Sequence, residues 1–196
     1  MNAIIKTFVL AAALLMPAAA NAQSSTTTPA DMPAWYVSPF LGSATAGGDA
    51  ARSGAPAMGV AVGWSGRAWG AEFDIADAPA FFQQDDYRID RRVATVTGTF
   101  LARMPLGHSL TAYGAGGFGL MQVRLAEAGN LARVETDQPA FNAGGGLMWM
   151  KSRVGVRGDV RYFRAMGDDA DDANPFALDV SSLDFVRVAV GLMVGF

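Results

Sequence analysis

The chain is 196 residues long, about the size of one ordinary domain; 51% of it is hydrophobic, 17% charged, 23 residues are glycine and none is cysteine. This excludes a disordered chain, a disulfide scaffold and thiol-based metal or redox chemistry. Fifteen basic against eighteen acidic side chains leave a net charge of −3, and no segment gathers the Lys/Arg surplus that a nucleic-acid surface requires. Mean hydropathy is +0.21, yet beyond residue 22 no run of about 18 apolar residues is available to cross a membrane as a helix.

The first element is an export signal. Lys6 supplies a positive start, residues 8–16 are an apolar run, Pro17 breaks it, and Ala20-Asn21-Ala22 ends in the Ala-x-Ala pattern. Cleavage is therefore expected between Ala22 and Gln23. The alternative, a retained anchor, is disfavoured because Pro17 interrupts a run already too short to span. Residues 23–33 hold Ser24, Ser25, three threonines, Pro29 and Pro33 with little to bury, and read as a disordered lead. All 23 glycines lie beyond the signal.

From Trp35 onward the period is two. A less regular segment at 35–42 opens the series. Met58, Val60, Val62 and Trp64 then oppose Gly59, Ala61 and Gly63; Trp69, Ala71, Phe73 and Ile75 oppose Gly70, Glu72 and Asp74. Val96, Phe100 and Ala102 oppose Thr95, Thr97, Thr99 and Arg103. Tyr113, Ala115, Gly117, Met121, Val123 and Leu125 are read as the apolar face of the fifth segment, against Gly114, Gly116, Phe118, Gln122 and Arg124. Phe141, Ala143, Gly145, Leu147 and Trp149 oppose Asn142, Gly144, Gly146 and Met148. Val154, Val156, Val160 and Tyr162 oppose Arg157, Asp159 and Arg161, and the last segment sets Val186, Val188, Val190, Leu192, Val194 and Phe196 against Arg187, Ala189, Gly191, Met193 and Gly195. Alternation of this kind marks strands, and eight of about 9 to 11 residues match tilted membrane strands.

The connections alternate as well. Tight turns are expected at 65–67, 105–109 and 151–153, and long polar loops at 43–56, 77–91, 126–139 and 164–182. Tight turns at one end and long loops at the other predict an all-β, eight-stranded antiparallel up-and-down barrel. A soluble barrel such as a lipocalin keeps its apolar face inside. Here the uniform apolar face, with Trp and Tyr near its ends, is too large to share eight strands' interior with the charges, so it is assigned to lipid. Closure leaves no unsatisfied edge in the bilayer.

These segments resemble the bacterial outer-membrane β-barrel family that includes the OmpA transmembrane domain and the opacity-type surface proteins. The likeness covers about 35–196. It rests on Trp35-Tyr36-Val37 opening a strand that ends in Gly42, on Tyr113-Gly114-Ala115-Gly116-Gly117-Phe118-Gly119, on Arg157-Gly158-Asp159-Val160-Arg161-Tyr162, and on a last strand ending in Phe196. The resemblance implies that Val188, Val190, Leu192, Val194 and Phe196 form a C-terminal signal read by the outer-membrane assembly machinery. Nothing after Phe196 corresponds to the peptidoglycan-binding domain of OmpA, so wall anchoring is not implied.

The candidate site is an inward-facing polar network of Glu72, Asp74, Arg103, Arg124, Arg157, Asp159, Arg161 and Arg187. An eight-stranded barrel is only wide enough for its own side chains, so these groups are expected to pair as a plug, with Phe118 and arginines crossing the lumen. The competing reading is a narrow or gated polar path. Asp168, Asp172 and Asp179 fall at positions 1, 5 and 12 of a calcium loop, but Ala170 and Ala173 occupy positions 3 and 6, so the match fails and a solvated acidic loop is expected. Asp85, Asp86, Arg88, Asp90, Arg91 and Arg92 around Tyr87 form a mixed-charge patch. Gly114-x-Gly116-x-x-Gly119 matches a dinucleotide fingerprint in spelling only, since no helix follows it. The one histidine, His108, sits in a tight turn beside Ser109 with no acid nearby, which disfavours hydrolytic chemistry on lipid A.

The domain reading is a cleaved signal at 1–22, a lead at 23–33 and a barrel at 34–196, placed by export in the bacterial outer membrane with periplasmic termini and four surface loops. The expected role is non-enzymatic, structural or in surface interaction, without cofactor or metal; the alternative is a small porin-like channel for ions or small solutes. An apolar carrier is disfavoured by the charged inner face. Expected partners are membrane lipid and lipopolysaccharide, the assembly machinery during insertion, and an extracellular ligand at the long loops. The protein is expected to be a monomer and to bind no nucleic acid.

Overall fold

The computed structural model describes residues 33–46, 54–79, 89–107, 109–127, 133–166 and 183–196. Eight strands follow one another: β1 (Trp35–Ala46), β2 (Ala55–Ser65), β3 (Trp69–Ala78), β4 (Ile89–Pro105), β5 (Leu110–Glu127), β6 (Arg133–Lys151), β7 (Val154–Ala165) and β8 (Asp184–Gly195). Each pairs antiparallel with the next, and β8 returns to β1, so the sheet is a closed barrel. The expected signal, its cleavage site at Ala20, Ala22 and Gln23, and the lead before Pro33 lie outside the described residues, as do His108 and the acidic stretch at 167–182.

The period of two decides which side chains face the lumen, and the strands after β1 keep the faces read from the sequence, with one exception. The exception is β5. Tyr113, Met121 and Val123 are buried in the lumen, whereas Phe118 is 70% exposed on the outer wall. The reason lies in the ladder. Gly117 and Gly119 pair with Thr99 and Thr97, and a β-carbon on either would come within 2.1 Å or less of the carbonyl of Gly98 or Val96. Only glycine fits inward there, which fixes the parity of the strand and turns Phe118 outward. Arg124 shares that parity with Phe118 and pairs with Arg92, an exposed residue of β4. Its register position is on the outer row, a correction to its place in the inward set.

A second difference concerns length. β4, β5 and β6 run to 17, 18 and 19 residues, against 10 to 12 for the others. The loop expected at 126–139 is therefore mostly strand: Ala126 pairs with Arg133, and the ladder is unbroken from there to Trp149. Charged residues at alternate positions look like loop in sequence, but the backbone pairs regardless of them. At the other end the β6–β7 turn is two residues, with Ser152 held at φ 58°.

Candidate functional site in the barrel lumen

The lumen is layered. Toward the long loops it is filled by alanines with Val93, Met121, Val123, Phe163 and Phe185. Toward the tight turns it is filled by Tyr36, Leu101, Tyr113, Met148, Met150 and Met193. Between them sits a charged layer of three carboxylates, Glu72, Asp74 and Asp159, and three guanidiniums, Arg157, Arg161 and Arg187, all buried.

Alternation places these groups: Glu72 and Asp74 on β3 and Arg157, Asp159 and Arg161 on β7 fall at every second position on the inward row, and Arg187 is on the inward row of β8. Across the lumen Arg157 pairs with Glu72, and Arg161 pairs with both Glu72 and Asp74, the latter at 3.0 Å. Arg157 also donates to Asp159 at 2.7 Å and to the Tyr113 hydroxyl at 2.8 Å. Arg187 donates to Asp74 at 3.2 Å. Its guanidinium lies 4.6 Å from the Phe40 ring centre and 4.8 Å from that of Phe163, a cation–π sandwich at the border of the apolar layer. The Tyr36 hydroxyl donates to Glu72 at 2.7 Å, the Thr97 hydroxyl to Asp74 at 2.6 Å, and the Tyr113 hydroxyl to Asp159 at 3.0 Å. Among the described residues three charges of each sign thus meet, with neutral hydroxyls donating to each carboxylate; Asp159 Oδ1 accepts no hydrogen bond and has only the Arg161 guanidinium near it, at 3.7 Å. Such geometry is what buried ions require to persist in low dielectric.

Of the expected network, Glu72, Asp74, Arg157, Asp159, Arg161 and Arg187 are brought together. Arg103 stands apart at the tight-turn end, where it donates to the Ser65 hydroxyl and to the Gly66 carbonyl. Tyr36, Tyr113 and Phe40 are the members that sequence reasoning misses. Tyr113 falls on the face that alternation alone assigns to lipid, and Tyr36 and Phe40 lie in the irregular first segment. Their signal is that buried guanidiniums and carboxylates need hydroxyl and ring partners from other strands. The glycines Gly114, Gly116 and Gly119 lie inside β5, a continuous strand, so no dinucleotide turn exists there.

The outer wall carries the apolar residues. Val188, Val190, Leu192, Val194 and Phe196 all face outward and are 42–66% exposed. A charged interior within an apolar skin inverts the arrangement of water-soluble barrels, and with eight antiparallel strands it defines the fold of the small bacterial outer-membrane barrels. Solved structures of that fold superpose on the chain. Neisserial surface protein A gives a TM-score of 0.64 at 11% identity, covering 83% of this chain and 97% of its own. The attachment invasion locus protein Ail of Yersinia pestis gives 0.56 at 14%, covering 83% and 99%. A major outer membrane protein from Thermus thermophilus gives 0.52 at 12%, covering 83% and 100%. No protein-family model matches the sequence, and no curated protein matches it.

Proposed function

We propose that the protein is a monomeric, non-enzymatic barrel of the bacterial outer membrane, exported by a cleaved signal, with a structural or surface-interaction role in the envelope. The observation that carries this reading is the charge-balanced layer held between two apolar fillings of the lumen. A polar solute would have to part ion pairs that include the Arg157–Glu72 and Arg161–Asp74 contacts, and then cross Phe163 stacked on Phe185 at 4.8 Å. The carboxylates are engaged by arginines, which leaves them poorly suited to general acid or base work. What the molecule offers to its surroundings is its apolar wall, to lipid, and its long-loop rim, where β4, β5 and β6 rise past the last paired residues of β3 and β7. That rim is the place for lipopolysaccharide or an extracellular ligand. The assembly machinery would read Val188, Val190, Leu192, Val194 and Phe196 during insertion.

Planar-bilayer recording of the purified protein tests the closed lumen. A flat current trace is expected. Steady single-channel steps would overturn the reading in favour of a small channel.

A further inference from the structure

We propose that the tight-turn rim is a binding collar for the phosphate headgroups of anionic phospholipid, built from Arg67, Lys151 and Arg153 beneath a girdle of tryptophans. The proposal rests on the membrane-spanning reading and adds to it a lipid class and a leaflet. In barrels of this kind the short turns lie on the periplasmic side.

All four tryptophans of the chain are at that end. Trp35 opens β1, Trp64 is next to last in β2, Trp69 opens β3, and Trp149 is two residues from the end of β6. Their side chains are on the outer wall and 43–55% exposed. Trp35 and Trp64 are ladder partners, and Trp69 stacks on Phe100 with ring centres 5.2 Å apart. An indole has an apolar body and one N–H, so such a girdle settles where hydrocarbon meets headgroup.

The cations sit just beyond it. Arg67 lies in the turn between Trp64 and Trp69, and Lys151 and Arg153 follow Trp149 at two and four residues; all three are exposed. At about 3.3 Å per strand residue and the tilt of about 35–45° usual in such barrels, Lys151 is about 5 Å past the level of Trp149, toward the headgroups. None of the three forms an ion pair with another described residue. Arg103 differs, because its guanidinium is spent on Ser65 and Gly66.

Charge is also segregated along the barrel axis. Glu72, Asp74 and Asp159 are buried in the lumen against arginine, while Asp77, Asp137 and Asp184 lie at the long-loop end of their strands. Among the described residues the tight-turn rim holds no acidic side chain. Three exposed cations that form no ion pair with another described residue, set just past a tryptophan girdle, fit a monoanionic phosphodiester surface. A basic residue near such a surface contributes about a fivefold preference, which salt screens.

The tryptophans make the collar directly readable. The full chain is refolded into phosphatidylcholine vesicles containing phosphatidylglycerol, with one lipid or the other carrying brominated acyl chains that quench indole fluorescence on contact. At low salt brominated phosphatidylglycerol is expected to occupy sites beside the tryptophans at least about fivefold more than brominated phosphatidylcholine at equal mole fraction. The triple variant Arg67→Gln, Lys151→Gln, Arg153→Gln is expected to bring that ratio close to one, as is 1 M NaCl in the native protein. Arg164→Gln, at the opposite end, leaves it unchanged, and heat-modified mobility verifies that each variant is folded. Equal quenching by the two lipids in the native protein, or an unaltered ratio in the folded triple variant, overturns the collar. Quenching by neither lipid removes the membrane-spanning reading itself.

Discussion

Glu72→Gln is the sharpest test of the charged layer. The substitution keeps shape but deletes one of three buried negative charges, and it does so where two guanidiniums, those of Arg157 and Arg161, and the Tyr36 hydroxyl converge on one carboxylate. The glutamine amide accepts through a single oxygen and presents its NH2 group to a cation that already donates. Removing one partner of a buried ion pair costs about 3–5 kcal/mol, because the remaining charge stays desolvated. With an m-value of about 1–3 kcal/mol per M in urea, the unfolding midpoint falls by at least about 1 M. The assay is urea unfolding of the reconstituted protein, followed by the gel mobility difference between folded and unfolded chain. The exposed pair between Arg92 and Asp77 serves as comparison: Asp77→Asn is expected to cost about 1 kcal/mol or less. Combining Glu72→Gln with Arg161→Met, which removes an opposing charge, should recover part of the loss as a coupling of about 0.5–3 kcal/mol. A loss under about 1 kcal/mol for Glu72→Gln alone would refute the view that the layer is a tightly interlocked network.

The remaining predictions concern the wall. Gly119→Ala places a β-carbon 2.0 Å from the Val96 carbonyl and is expected to leave little heat-modifiable protein after refolding, whereas Gly114→Ala, with nothing within 4 Å of the new atom, refolds like the native chain; equal yields would refute the parity assigned to β5. Phe118→Arg puts a charge on the lipid-facing row and should cost about 2–4 kcal/mol in vesicle unfolding, while a neutral result would return Phe118 to the lumen. Ser152→Gly relieves a left-handed backbone at φ 58° and is expected to stabilise by up to about 1 kcal/mol, read as an upward shift of the urea midpoint.

Strands with unlike faces are legible in the sequence. In β7 and β8 charged and small residues alternate with valine, so one period of two states both the element and its orientation. In β5 the two rows are glycine and alanine against glycine and phenylalanine, and hydrophobicity alone cannot order them. What orders them is the space between neighbouring backbones at Gly117 and Gly119, a property of the assembled ladder that no single segment contains. The long strands β4, β5 and β6 are obscured for a related reason: their far ends carry Asp90, Glu127, Arg133 and Glu135, which read as loop, yet main-chain pairing continues through them. The charged layer is visible as a set because ions on an inward row must meet one another. Its partners Tyr36, Tyr113 and Phe40 are not, since hydroxyl donation and ring stacking across the lumen leave no periodic trace.

The layer also dates the moment of closure. Glu72 and Asp74 belong to the third strand, but the guanidiniums that neutralise them arrive 85 to 113 residues later, on the seventh and eighth. An incomplete barrel of six strands would therefore hold two carboxylates in its interior with none of those cations to meet them. That penalty is lifted only when the last hairpin docks against Trp35–Ala46. Contacts so distant in sequence slow folding, and the six charged side chains of the middle layer all meet only once the last hairpin is in place.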